Sequence, residues 1–456
     1  MKNDMHSHRW RFGSSITAGL SLVLLAGVAH AATDPGVRPG AADAGGTVPG
    51  LTTEQLNAFA IAKEAFDAID SVRGDLPGED DEGLGPTFNL NSCVGCHAFP
   101  AGGGASPRTN PQIAVATLHG ARNTVPSFLT ADGPIREVRF KRKPDGSPDG
   151  GVHSLFVITG RPDAPPGFTL PQTNFAPHIA SNNVVFRIPT SLYGMGFIEA
   201  IPDRAISENQ RANGARKAQL GISGRPNING NDGTIARFGW KAQNKSLLMF
   251  AGEAYNVEQG VTNDLFPNAR EVGNQSLEDG QPESGVEIET GGLGDIEQFT
   301  LYMRMLDAPK RRNPPRVSDA SISAGNNHFN NIGCVQCHTA SMKTGRSSID
   351  ALSEKEIFLY SDLLIHSMGN QLSDDVSQGT ADGHEFRTAP LWGLGQRIFL
   401  MHDGRTTDLE QAIRLHASNR TRTDRCPPSE ANTVVQNFSN LSDSQKQDLF
   451  NFLRSL

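Results

Sequence analysis

Cys93-Val94-Gly95-Cys96-His97 and Cys334-Val335-Gln336-Cys337-His338 repeat one five-residue pattern, Cys-x-x-Cys-His. Two thiols three positions apart can lie on one side of a helical turn and form thioethers to the two vinyl groups of a haem. The adjacent histidine then turns its ring toward the iron as proximal ligand. The cofactor-binding residues expected are therefore Cys93, Cys96, His97, Cys334, Cys337 and His338, with His97 and His338 on the metal.

Other uses of such pairs fit less well. A four-thiolate zinc site would bring both pairs together, although they lie about 240 residues apart, and would leave both histidines unexplained. A thioredoxin-like dithiol needs one pair and no histidine. Disulfides inside each pair remain open to a chain in an oxidising compartment. Two covalently bound c-type haems account for all six residues.

The positioning elements begin with an export sequence. Arg9 and Arg11 precede an apolar run of 13 residues, Ile16 to Val28, and Ala29-His30-Ala31 offers a small-x-small cleavage site. Residues 1–31 thus read as a signal peptide, with a periplasmic chain starting at Ala32. The run is too short to span a bilayer, and no later segment reaches the ~18 apolar residues a span needs. The whole chain carries a net charge of −8, and removing Lys2, Arg9, Arg11 and Asp4 with the leader (net +2) leaves −10. No basic patch stands out, which argues against a nucleic acid partner. With 48 glycines and 28 prolines, the chain reads as loop-rich, building part of its core from the haems. Cys426 is the odd cysteine, read as a buried free thiol rather than a crosslink.

Residues 32–50 read as a flexible lead-in. Thr52 and Gln55 form a capping box ahead of a helix whose apolar face is predicted to hold Leu56, Phe59, Ala60, Phe66 and Ile69. An acidic loop, Asp75 to Gly85, leads to the first motif. Residues 98–180 break the helical pattern, and alternation at 136–140 and 152–159 around Pro144-Asp145-Gly146 predicts a β-hairpin. Helices are predicted over 246–259 and 295–306, and Pro309 to Pro315 reads as a linker. The chain closes on a second capping box, Ser442 to Gln445, and an amphipathic helix carrying Leu449, Phe450, Phe452, Leu453 and Leu456. The fold expected is mainly α, with two cytochrome c-like haem domains over 51–315 and 316–456. The first carries a large loop and hairpin insertion at about 98–180.

A short repeat supports the two halves. Phe186-Arg187 precedes Leu192-Tyr193-Gly194-Met195-Gly196, and Phe386-Arg387 precedes Leu391-Trp392-Gly393-Leu394-Gly395. Beyond the repeat the copies diverge. The second continues to a helix-borne His416, a metal ligand available to the second haem, whereas the first meets no histidine until His328. A six-coordinate haem stores and passes electrons, and an open one can bind and split peroxide.

His402-Asp403-Gly404-Arg405 with Leu409-Glu410-Gln411-Ala412-Ile413 resembles the C-terminal domain of bacterial di-haem cytochrome c peroxidases, and the related enzyme that matures tryptophan tryptophylquinone. The longer matches resemble the di-haem oxidoreductases, often labelled peroxidases or thiol oxidoreductases. They are Asn91-Ser92-Cys93, Gly196 to Asp203, Arg237 to Gln243, Glu253 to Asn256, Ser361 to His366 and Pro390 to Gly395. The resemblance runs from about residue 50 to the end. It implies an oxidoreductase that reduces peroxide or uses it to oxidise a redox partner protein, and a Ca2+ between the domains held largely by backbone carbonyls. In the peroxidases a methionine stands where this chain has His416, so a bis-histidine haem of lower potential is implied here.

The peroxidases place a glutamate over the open haem to move the peroxide proton, and the repeat with this resemblance makes Glu199 the catalytic acid expected here. His153 ranks first among His153, His178 and His119 as a distal base or sixth ligand of the first haem, and His366, His384 and His402 are rivals to His416. Trp240 and Trp392 are candidates to relay electrons between haems. Two other readings stay open: a di-haem electron carrier without catalysis, and a haem oxygenase or sensor that binds O2.

Overall fold

The computed structural model describes residues 31–269, 292–419 and 426–456. The signal-peptide reading falls on residues outside these, apart from Ala31. Helix α1 (Thr53–Asp67) starts on the expected capping box, with Gln55 N donating to Thr52 Oγ1 at 3.2 Å and Thr52 N to Gln55 Oε1 at 3.0 Å. Phe59, Ala62 and Phe66 are buried on it. Leu56 and Ile69, expected on that face, are each 44% exposed. Leu56 sits in the first turn, and Ile69 follows Ala68, whose ψ of 149° has already ended the helix.

Helix α2 (Cys93–Cys96) carries the first thiol pair. Strands β1 (Glu137–Phe140) and β2 (Val152–His153) pair antiparallel, Val138 opposite His153, around a turn where Gly146 takes a φ of 82°. A third strand, β3 (Val184–Arg187), joins the other edge of β1. Phe156 pairs with Phe88, so Cys96 shares one apolar cluster with Phe88, Val138, Phe140 and Phe156.

Helix α3 (Met195–Glu199) follows the first copy of the repeat. Helix α4 (Leu247–Ala254) runs into a π turn over Tyr255–Gln259, and α5 (Asp295–Met305) packs on α1 through Tyr302. Tyr302 stacks on Phe66 at 4.3 Å and Phe59 at 5.3 Å. Helix α6 (Asp319–Ile332) precedes the second motif, α7 (Leu409–Leu415) precedes His416, and α8 (Asp443–Ser455) closes the chain from the predicted capping box. Helices α6 and α8 meet at Gly325, where any Cβ would strike the carbonyl of Asp448. Phe452 of α8 lies 5.4 Å from Phe329 of α6.

The repeat is a structural one. Gly194 and Gly393 both take left-handed conformations (φ 68° and 75°), which favour glycine. Their N–H groups donate to the carbonyls that end the packed helices, Leu306 at 3.2 Å and Leu456 at 2.9 Å. Gly196 and Gly395 press on the carbonyls of Arg304 and Arg454, leaving no room for a side chain. Tyr302 in the first half therefore corresponds to Phe452 in the second.

Helices are joined by sheets of two or three strands and much irregular backbone among the described residues. None of the described helices is long and apolar enough to cross a membrane. The described cysteines form no disulfide, and Cys426 is half-buried.

Candidate haem sites

His97 and His338 are held alike. The Nδ1–H of each donates to a backbone carbonyl, Gly104 for His97 and Tyr360 for His338, both at 3.0 Å. That bond fixes the tautomer and leaves the Nε2 lone pair for a metal. A phenylalanine ring lies 6.2 Å from the first imidazole (Phe66) and 6.4 Å from the second (Phe329), each tilted by 52°. Desolvation pulls both histidines down to about 4, so both are neutral at pH 7, as ligation requires. Burial also raises the thiols, Cys334 to about 12 and Cys93 and Cys96 well above the usual thiol range, with the charge of Glu258 adding to both of the latter.

Around His338 opens a cavity of about 260 Å³ lined by Cys334, Cys337, Phe329, Leu453 and His416. His416 follows α7, which Asp408 caps by accepting from Gln411 N at 2.7 Å. Its Nδ1–H donates to Ala412 O at 2.7 Å, again freeing Nε2, and its charge is felt at His338. Arg387 and Arg397 line the same cavity, and burial lowers both to about 10, each without a carboxylate bonded to it among the described residues. Their unmatched charge suits the propionates of a haem.

Two cavities of about 70 and 50 Å³ meet at Cys96, His97, Phe250 and Glu258. Helix α4 and its π turn supply Phe250 and Glu258; such turns recur at functional sites. Asn89 Nδ2 and Arg187 Nε are buried donors with no protein acceptor, and both residues line the larger of the two. The charge of Arg187 is met by Asp374 at 2.7 Å, so what these residues offer a haem edge is the Nε–H of Arg187 and the amide of Asn89. Among the described residues no second histidine lines either cavity. Trp240, with Ile188, Pro189 and Thr190, lines both the 260 Å³ and the 70 Å³ cavity.

The structure separates the other expected residues. Glu199 ends α3, accepts from Leu247 N at 2.8 Å and pairs with Arg304 Nε at 2.6 Å. It thereby caps α4 and lines none of the three cavities. His153 stacks on Phe140 at 3.8 Å, with Nε2 3.1 Å from Asp149. His178 stacks on Phe140 at the same distance, so the two rings sandwich it, and neither histidine lines a cavity. His119 faces Glu79 at 3.7 Å. His384 faces Asp382 at 3.9 Å. His402 lines the 260 Å³ cavity but stacks on Phe386 at 4.3 Å.

His366 also lines that cavity, yet both ring nitrogens are taken, Nε2 by Asp362 at 3.0 Å and Nδ1 by Glu430 at 2.8 Å. Burial opposes its charge, but Cys337 and Asp362 hold it protonated well above the usual imidazole range. The cluster Cys337, Asp362 and His366 has metal-like spacing without a free histidine nitrogen.

Sequence reasoning missed Glu258, Asn89, Arg187, Arg387 and Arg397. The two arginines of the Phe-Arg pairs were visible as part of the repeat: Arg187 reaches one cavity and Arg387 the other. Glu258 had no signal, since only the π turn aims it.

Two neutral histidines, each beside a Cys-x-x-Cys pair and each facing its own cavity, define a di-haem protein. The family model described as "Di-haem oxidoreductase, putative peroxidase" matches residues 144–456, and the chain belongs to that family. The first motif lies before the matched region. No curated protein matches. Among solved structures, similarity is found to hydrazine synthase of Kuenenia stuttgartiensis (17% identity, 37% of this chain, 58% of that chain, TM-score 0.22). It is found also to the di-haem peroxidase BthA of Burkholderia thailandensis (13% identity, 48% and 65%, TM-score 0.29). A third is a MauG-like protein associated with microbial copper homeostasis (13% identity, 59% and 89%, TM-score 0.29). The chain thus spans 58% and 65% of the first two.

Proposed function

We propose that this is an exported, periplasmic c-type di-haem peroxidase of two cytochrome c-like domains, with one catalytic and one electron-transfer haem. The observation that carries it is the asymmetry of the two sites. The cavity at His338 also holds His416, with Nε2 free, whereas among the described residues no second histidine lines the cavities at His97. The haem at His97, when bound, supplies an iron position at which peroxide is reduced. Glu258, which lines both cavities there, takes the proton from one peroxide oxygen and returns it to the other. Arg187 and Asn89 hold the haem edge, Phe250 excludes water, and Trp240 forms the wall through which electrons arrive from the second site. A redox partner protein delivers those electrons.

The test is peroxide consumption with an artificial one-electron donor. Replacing Cys93 and Cys96 by alanine leaves one haem per chain and stops turnover; unchanged turnover in that variant would overturn the assignment of the catalytic site.

A further inference from the structure

We propose that Tyr302 is a redox-active tyrosine that donates an electron toward the His97 site and its phenolic proton toward Asp67. The inference rests on the peroxidase reading above and extends it to a residue outside the cavities. Tyr302 is fully buried on α5, stacked on Phe66 at 4.3 Å, and Phe66 in turn lies 6.2 Å from the His97 ring. An aromatic pair thus leads from the phenol to the proximal histidine.

The hydroxyl is unusual for a buried tyrosine, which normally finds a partner. Tyr302 Oη and Asp67 Oδ1 are both buried atoms with no hydrogen bond. They converge on Gly102, where a Cβ would stand 3.3 Å from the first and 3.8 Å from the second. One bridging water would satisfy both. The other carboxylate oxygen of Asp67 pairs with Lys63, a half-exposed ion pair that offers the proton a way to solvent.

Burial, with the charge of Asp67, raises Tyr302 far above the usual phenol range. Tyrosinate is therefore out of reach, and electron loss must go with proton loss to a nearby acceptor. The step is phenol to neutral phenoxyl radical, one electron leaving toward the His97 site and one proton toward Asp67. Peroxide is the oxidant: its reduction to two waters consumes two electrons and two protons, of which Tyr302 supplies one electron. Tyr193 lacks this arrangement, because its hydroxyl donates to Ala101 O at 2.7 Å and accepts from Ala101 N at 3.1 Å. The second half of the molecule carries Phe452 at the equivalent position, so phenylalanine suits this packing.

The experiment is rapid-freeze EPR of the holoprotein after hydrogen peroxide, in wild type, Tyr302→Phe, Tyr193→Phe and Asp67→Asn, with ring-deuterated tyrosine as label. The expected result is a radical signal that narrows on deuteration, is lost in Tyr302→Phe, persists in Tyr193→Phe and falls several-fold in Asp67→Asn. If peroxide reacts with the haems at the wild-type rate and the same radical survives in Tyr302→Phe, or no radical forms, the tyrosine assignment is overturned and the peroxidase reading stands. If peroxide leaves the haem absorption unchanged, both readings fall.

Discussion

The indole Nε1–H of Trp240 donates to the carbonyl of Ile188 at 2.9 Å, and this bond fixes the ring in the wall shared by the two haem cavities. The N–H of Ile188 donates to His402 O at 2.9 Å, tying the wall to the second half of the chain. A ring anchored in this partition is suited to carry electrons across it. Trp240→Phe keeps the apolar wall but removes the anchor and the indole. Stopped-flow reduction should show transfer between the sites slowed by about ten-fold or more, with two haems still bound.

Two glycines carry the pseudo-symmetry. Gly196→Ala and Gly395→Ala each force a Cβ into a helix-end carbonyl, that of Arg304 or Arg454. Overpacking of this kind costs about 1–3 kcal/mol. Thermal unfolding should show both variants destabilised by comparable amounts.

Glu258 and Glu199 separate catalysis from support. Glu258→Gln should reduce kcat for peroxide by about 10²-fold or more, with little change in melting temperature. Glu199→Gln weakens the contacts to Leu247 N and Arg304, both partly solvated, and should cost about 1 kcal/mol of stability while leaving kcat near wild type. The reverse pattern would return the acid–base role to Glu199.

What the sequence disclosed follows from the range of the interactions. The haem motifs, the two capping boxes and the hairpin are local, set by residues within a few positions of each other, and each was legible at the residues named. That His416 lines the cavity of His338 was legible through the repeat, because Gly393 and Gly395 fix where the chain passes after the second motif. What was not legible is where Glu199 points: its partner Arg304 lies 105 positions away, and α4 takes its carboxylate as a cap. His153 is drawn off by Phe140 and Asp149, contacts that depend on how the sheet pairs.

Glu430 gives the fold an acid limit. Burial alone would raise its pKa, but the hydrogen bond and charge of His366, with Ser223, bring it down to about 2 from 4.5. A carboxylate with a depressed folded pKa contributes stability above its unfolded pKa and loses it as pH falls through the folded one. This contribution, about 3 kcal/mol, is present above pH 4.5 and lost between pH 4.5 and 2. Denaturation of Glu430→Gln across that window should show a shallower acid dependence than wild type; parallel curves would show that the carboxylate is not held this way.

The account turns on one open and one closed haem, and low-temperature EPR of the ferric holoprotein, with and without His416→Ala, tests it most directly. The prediction is one high-spin and one low-spin signal in the wild type, with the low-spin signal lost or altered in the variant. Two low-spin signals in the resting protein, both unchanged by His416→Ala, would contradict it.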